Sequence, residues 1–300
     1  MSIAAFPYII VLGLFFGSTL IASRFAVGQF EPTNYVAIRL ALATLAHMTI
    51  YLFSKRKWPL DRRIWKHAAI LGLLGTAIPM SSIVTSLRYQ SSGLTAILLT
   101  VGPAITVVMA HFFLPDEKLN GRKIVGVVIS LGGAVLMALL GESGLPDVPS
   151  SANGYLLVLI AMFMGSAAAV YIRRNLQGID PFDVASVRML FAAIGVSVFV
   201  FLFVGFDLSQ VNATGYTALG YATLFGTFLG LLLALYIAQR FGATAAAMTS
   251  YVIPVFAAIG GLLFLDEAIT PGMIGGVLLI VLGIAIINRK PRRANLRPYH

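Results

Sequence analysis

Few of the side chains in this sequence can do covalent chemistry. There is no cysteine among its 300 residues, which removes disulfide frameworks, thiolate catalysis and cysteine-ligated zinc. The four histidines are scattered: His47 and His111 fall inside long apolar segments, His67 starts another and His300 ends the chain. No His-Glu-x-x-His is present, and Ser18 follows Gly17 without the Gly-x-Ser-x-Gly frame of a nucleophile elbow. Serine beside glycine in a membrane helix reads first as a packing residue. Glu31, Glu117 and Glu267 stand at the ends of apolar segments, so no acidic pair lies mid-segment. No catalytic residue, no metal set and no cofactor is expected. Proton antiport on a midplane carboxylate is disfavoured. Coupling through His47 or His111 stays open beside the plainer reading, a polar residue hydrogen-bonded in a bundle.

Arg39 and Arg188 are the costly residues, since a charge at the centre of a membrane helix costs roughly 2.5–3.5 kcal/mol on insertion scales. They could bind a substrate carboxylate, or pin a neighbouring helix through hydrogen bonds. Their matched positions favour the structural role, and Glu117 and Glu267 are read as structural charges with them. Prolines and scattered polar groups mark the expected pathway: Pro79, Gly102-Pro103 and Pro254 interrupt their segments near mid-depth. A proline frees backbone carbonyls, which are tolerated where they face a cavity. The candidate substrate-contacting residues are Phe16, Ser18, Thr76, Met80, Pro103, Thr106, Phe163, Ser166, Thr227, Phe228, Tyr251 and Pro254. A cavity of phenylalanines with a few hydroxyls suits a neutral or zwitterionic, partly apolar solute better than a polyanion.

The composition says which elements must hold these residues. Hydrophobic residues make up 59%, charged residues 11%, and the mean hydropathy is +0.92. A soluble domain carries roughly 25% charged residues, so this chain needs lipid as solvent. Ten charge-poor segments are long enough to span a bilayer, which takes about 20 residues each. They run Ala5–Val27, Asn34–Phe53, Lys66–Leu87, Leu94–Leu114, Arg122–Leu140, Gly154–Ile172, Phe182–Val204, Gly215–Ala238, Ala243–Leu265 and Pro271–Asn288. Continuous apolarity without a two-residue alternation makes them helices. The first segment has no basic region before it and is read as a retained span, not a signal peptide.

The formal net charge of +10 could point to nucleic acid, but its placement points to orientation. Lys55, Arg56, Lys57, Arg62, Arg63, Lys66, Lys118, Arg122, Lys123, Arg173, Arg174 and Arg240 all fall on the side of the two chain ends, with the basic tail from Arg289 to Arg297. Across the membrane stand only Arg24 and Arg88, among the acids Glu31, Glu142, Asp147, Asp207, Asp266 and Glu267. The positive-inside rule then places both termini in the cytoplasm. The partners expected are a small-molecule substrate and membrane lipid, and no nucleic acid. The oligomeric state is left open, with a monomer admissible.

An internal repeat organises the ten spans. Gly17-Ser18 answers Gly165-Ser166; Pro32 and Arg39 answer Pro181 and Arg188, each 149 residues on. Asp116-Glu117 answers Asp266-Glu267 and Gly126 and Gly133 answer Gly276 and Gly283, all at 150. The division is residues 1–141, a linking loop 142–152, residues 153–288 and a tail 289–300. Five spans per half is an odd number, so the second half is inserted upside down. Inverted repeats around a midplane site are a common architecture of alternating-access transporters. The competing readings are an intramembrane enzyme on lipid-linked substrates, which a Ser18 pair with His47 or His111 would favour, and a scaffold without transport.

These motifs resemble the EamA branch of the drug/metabolite transporter superfamily, over essentially the whole chain. The likeness rests on Phe16-Gly17-Ser18, Ala37-Ile38-Arg39-Leu40, the run Ser86 to Ala96, Leu114-Pro115-Asp116-Glu117 with Gly121 and Gly126, and Leu265-Asp266-Glu267 before Gly275-Gly276. The resemblance implies a ten-helix bundle in which helices 1, 3, 4, 6, 8 and 9 enclose the cavity. It also implies export or exchange of small metabolites across the bacterial cytoplasmic membrane. Among members the chain looks most like amino acid exporters, the aromatic amino acid exporters included. Nucleosides, sugars and drugs remain as alternative cargo.

Overall fold

The computed structural model describes residues 3–54, 56–146 and 148–288. Lys55, Asp147 and the 289–300 tail, which entered the orientation argument, lie outside the described residues. Among those described, every regular element is a helix. Nine helices are long and apolar enough to cross a bilayer: α1 Phe6–Ala26, α2 Pro32–Phe53, α3 Arg62–Ser86, α4 Ser92–Phe113, α5 Gly121–Leu139, α6 Ala152–Asn175, α7 Pro181–Val204, α8 Ala213–Ala238 and α10 Pro271–Asn288. Between the last two lies α9, Ala243–Phe264, with its apolar stretch at Met248–Phe264. The molecule is a ten-helix bundle.

Local chemistry starts these helices where they start. Pro32, Pro181 and Pro271 occupy first turns, where a missing N–H costs nothing. Side-chain oxygens of Asp61, Ser91, Asn120, Asp180 and Asn212 accept from the first free amides of α3, α4, α5, α7 and α8. The cap at Asp61 explains why α3 begins a turn earlier than hydropathy places it. The charged first turn, Arg62 to Lys66, lowers the hydropathy there, yet the cap makes it helical.

The two halves meet in reciprocal contacts. Along α5 and α10, a Cβ on Gly126 would stand 2.5 Å from the Gly283 carbonyl, and one on Gly133 2.7 Å from that of Gly276. Gly126 and Gly133 are the repeat partners of Gly276 and Gly283, so each glycine touches the mirror of the other. This is the close approach that small residues permit between membrane helices. In α1, Gly13 and Gly17 abut Val252 and Phe256 of α9, while Thr19 and Phe16 fill the space at Gly226 and Gly230 of α8. α3 and α8 each contain a wider turn with i→i+5 bonding, at Leu73–Ala77 and Ala222–Leu229. Such turns often mark functional positions.

Candidate functional site

Four helices converge at one end of the bundle, the end away from the chain termini. Leu20 of α1, Ala96 of α4 and Ala257 of α9 form a buried cluster, with Ile83 of α3 and Ile253 packed on it. One or two turns further along those helix faces, at spacings of three, four or seven residues, come Phe16, Met80 and Thr76, Pro103 and Pro254. Three of the five are also held elsewhere: Thr76 by Arg188, Met80 in the cluster around Leu40 and Leu219, and Phe16 in that around Ile237. Pro79, Gly102-Pro103 and Pro254 interrupt α3, α4 and α9 within two turns of this cluster.

Glu267 seals that end. It is only 3% exposed and reaches from the loop after α9 to the first turn of α4. Its Oε1 accepts from the Ser92 amide at 2.8 Å, and its Oε2 from the Ser92 hydroxyl at 2.7 Å and the Gly93 amide at 3.3 Å. A carboxylate at a helix N-terminus meets free amides and the positive end of the helix dipole. Asp266 makes the reach possible: its φ of 53° turns the chain back, so that the Leu265 and Glu267 amides both donate to the Gly261 carbonyl, at 3.0 and 3.1 Å. The 142–146 stretch adds two clasps, Ser91 amide to Ser143 carbonyl at 2.8 Å and Ala268 amide to Gly144 carbonyl at 2.9 Å.

The other end is built differently. Glu117, the repeat partner of Glu267, accepts from Arg173 Nη1 at 2.6 Å and from Lys123 Nζ at 3.3 Å, while Asp116 takes Arg173 Nη2 at 2.6 Å. The Arg173 hydrogen bond holds the Glu117 carboxyl below its ordinary range. Pro115 stands where Leu265 stands in the other half, and proline has no amide with which to fold the loop back. Leu114 accordingly leaves α4 extended. The contact of α4 with α9 is made by Ser92–Leu99, and the later part of α4 packs on α6 instead.

The two arginines cross between halves. Arg39 of α2 donates from Nε to Thr227 of α8 at 2.8 Å and from Nη1 to Ser23 at 3.2 Å. Arg188 of α7 donates from Nε to Thr76 of α3, and from Nη2 to the Gly75 carbonyl at 2.6 Å. Both acceptors lie in the widened turns. Thr76 and Thr227 are thus buried partners of the arginines, a role the sequence reading did not give them.

The twelve candidate contacts do not gather into one shell. Thr106 and Ser166 join across α4 and α6 at 2.9 Å, and Ser166 donates to the Gly102 carbonyl at 3.1 Å. Phe228 packs edge-on to His47, which is 1% exposed and bonds Ser186 at 3.2 Å. Tyr251 meets Asn288 of α10 at 3.3 Å. Ser18 donates to the Leu14 carbonyl at 2.6 Å and meets Tyr221 at 2.8 Å; it is half-buried on a face where Val11, Leu14 and Phe25 are exposed. Phe163, 55% exposed, lies on a similar stripe of α6 and borders an α4–α6 groove of about 480 Å3 that ends at Arg174. His111 accepts from the Leu119 amide at 3.2 Å. Among the described residues, Ser18 bonds Leu14, Phe15 and Tyr221 and neither His47 nor His111. Tyr221 was missed from sequence; a hydroxyl-bearing aromatic one repeat away from Thr76's helix is its only signal.

Ten helices with reciprocal halves, a sealed end and an apolar axis define a membrane transporter bundle. The sequence profile of the EamA-like transporter family matches residues 4–139 and again 152–289, and the chain belongs to that family. It is 26% identical to the uncharacterized transporter YoaV of Bacillus subtilis, over 92% of this chain and 94% of that one. It is also 26% identical to the uncharacterized inner membrane transporter YedA of Escherichia coli, over 95% and 93%. A crystal structure of a protein 18% identical to it superposes with a TM-score of 0.65, covering 95% of both chains, which speaks for the fold.

Proposed function

We propose that this transporter exports small neutral or zwitterionic metabolites, amino acids above all, from the bacterial cytoplasm by alternating access, as a facilitator or exchanger. The observation that carries the reading is the pairing of two repeat-related halves through matched glycines, Gly126 on Gly283 and Gly133 on Gly276, around a seam that is closed at the Glu267 end. Inverted-repeat carriers work by exchanging such arrangements between their halves. Phe16, Met80, Pro103 and Pro254 supply the solute contacts along the axis, with no acidic group among them. That lining favours a solute without net charge, carried for its apolar part.

Counterflow in liposomes tests this without knowledge of orientation. Vesicles holding the purified protein and an unlabelled amino acid should accumulate the same amino acid in radiolabelled form, at least for one member of a broad panel. Failure across the panel, with nucleosides or sugars moving instead, would replace the cargo. A strong dependence on an imposed pH gradient would overturn the uncoupled mechanism.

A further inference from the structure

We infer that Glu267 is a latch with two partners: it holds the first turn of α4 in the state described here, and it passes to Arg24 of α1 when this end of the bundle parts. The inference rests on the alternating-access reading. Glu267 is the side chain that bridges the seam, with three hydrogen bonds into α4, and the seam beneath it is apolar. Arg24 stands in the last turn of α1, one turn beyond Ile21, which packs on Gly260, while the adjoining Gly261 lies against the Glu267 carboxylate. Among the described residues, Arg24 has no ion pair.

The opposite end shows the second arrangement already made. Arg24 and Arg173 are repeat partners, 149 apart, and Glu267 and Glu117 are partners 150 apart. Where α4 and α9 are not clasped, Glu117 sits on Arg173 at 2.6 Å. Exchange of conformation between the halves copies that contact to Glu267 and Arg24. The exchange also makes physical sense for a nearly buried carboxylate, which is costly to leave without a partner. Moving from amides to a guanidinium keeps it hydrogen-bonded in both states. Pro115 denies the Glu117 loop the folded-back form, so the two ends share only the carboxylate–arginine contact, and the clasp to the α4 amides belongs to the Glu267 end alone.

The absence of cysteine makes the test direct. Ala96→Cys puts one thiol inside the sealed cluster, and a polar maleimide reaches it only when the seam opens. In detergent-purified protein, Glu267→Gln is expected to speed labelling about tenfold, since a hydrogen-bonded charge has been weakened. Arg24→Gln, by removing the partner of the open state, is expected to slow it several-fold. Glu267→Asp, which keeps the charge but shortens the reach, serves as the second variant and should behave like Glu267→Gln; each variant is first checked for a single gel-filtration peak. Faster labelling in Glu267→Gln with no change in Arg24→Gln would overturn the exchange and leave Glu267 a fixed cap. A thiol that stays unreactive in parent and variants alike would mean that this seam never opens, and would overturn the alternating-access reading with it.

Discussion

Arg39 and Arg188 show how a buried charge can be kept at tolerable cost. Among the described residues neither has a carboxylate partner; each spends its donors on a threonine hydroxyl in the opposite half, with Ser23 or the Gly75 carbonyl as a second acceptor. Removing the acceptor is therefore worse than removing nothing else about the threonine. Thr227→Val, which keeps the shape, leaves Arg39 Nε without its acceptor and is expected to destabilise the bundle by about 1.5–3 kcal/mol, the worth of a hydrogen bond to a charged group. Thr76→Val should cost a similar amount, because each arginine loses the acceptor of its Nε and keeps one second acceptor, Ser23 or the Gly75 carbonyl. Unfolding titrations in SDS measure both, and a normal stability with a raised KM would instead make the threonines solute contacts. Residue types alone could not settle this. Hydroxyls at mid-depth were legible, but their partners lie 188 and 112 positions away, and pairing at that range leaves no local pattern. Nor does apolarity distinguish a wall of the cavity from a lipid-facing stripe.

Helices were more legible than sites because lipid imposes one requirement on all of them. The ten spans, their starts at proline or a capping oxygen, and the glycine contacts all left marks in the sequence. The α5–α10 pair gives a sharp test of the glycine reading. Gly126→Ala would set a Cβ against the Gly283 carbonyl, at 2.5 Å before relaxation, and is expected to cost about 1–3 kcal/mol as the helices are forced apart. Gly132→Ala, on the same helix with nothing within 4 Å of the new atom, is expected to stay within about 0.5 kcal/mol of the parent. Equal effects at both positions, in the same SDS titration, would show that helix propensity and not contact governs α5. The widened turns of α3 and α8 left no mark. Their sequences are ordinary apolar stretches, and the extra residue per turn is held by the arginines from outside.

For the whole molecule, the surplus of positive charge predicts an orientation. Most of the described cations gather at one end, in the loops after α2 and α4 and in the helix turns that border these loops and those after α6 and α8, and the loop after α7 carries only Asp207 as a charge. Alkaline phosphatase fused within residues 205–212 is expected to be active in cells, and a fusion after Asn288 inactive; the reverse pattern would turn the molecule over and make the export reading one of uptake. The crossed arginines also impose an order on biosynthesis. Arg39 leaves the ribosome 188 residues ahead of Thr227, so the first half enters the membrane with a cation whose acceptor has yet to be made. Until α8 arrives, that helix must wait near water or lean on Ser23, and the membrane insertion of one half is finished by the translation of the other.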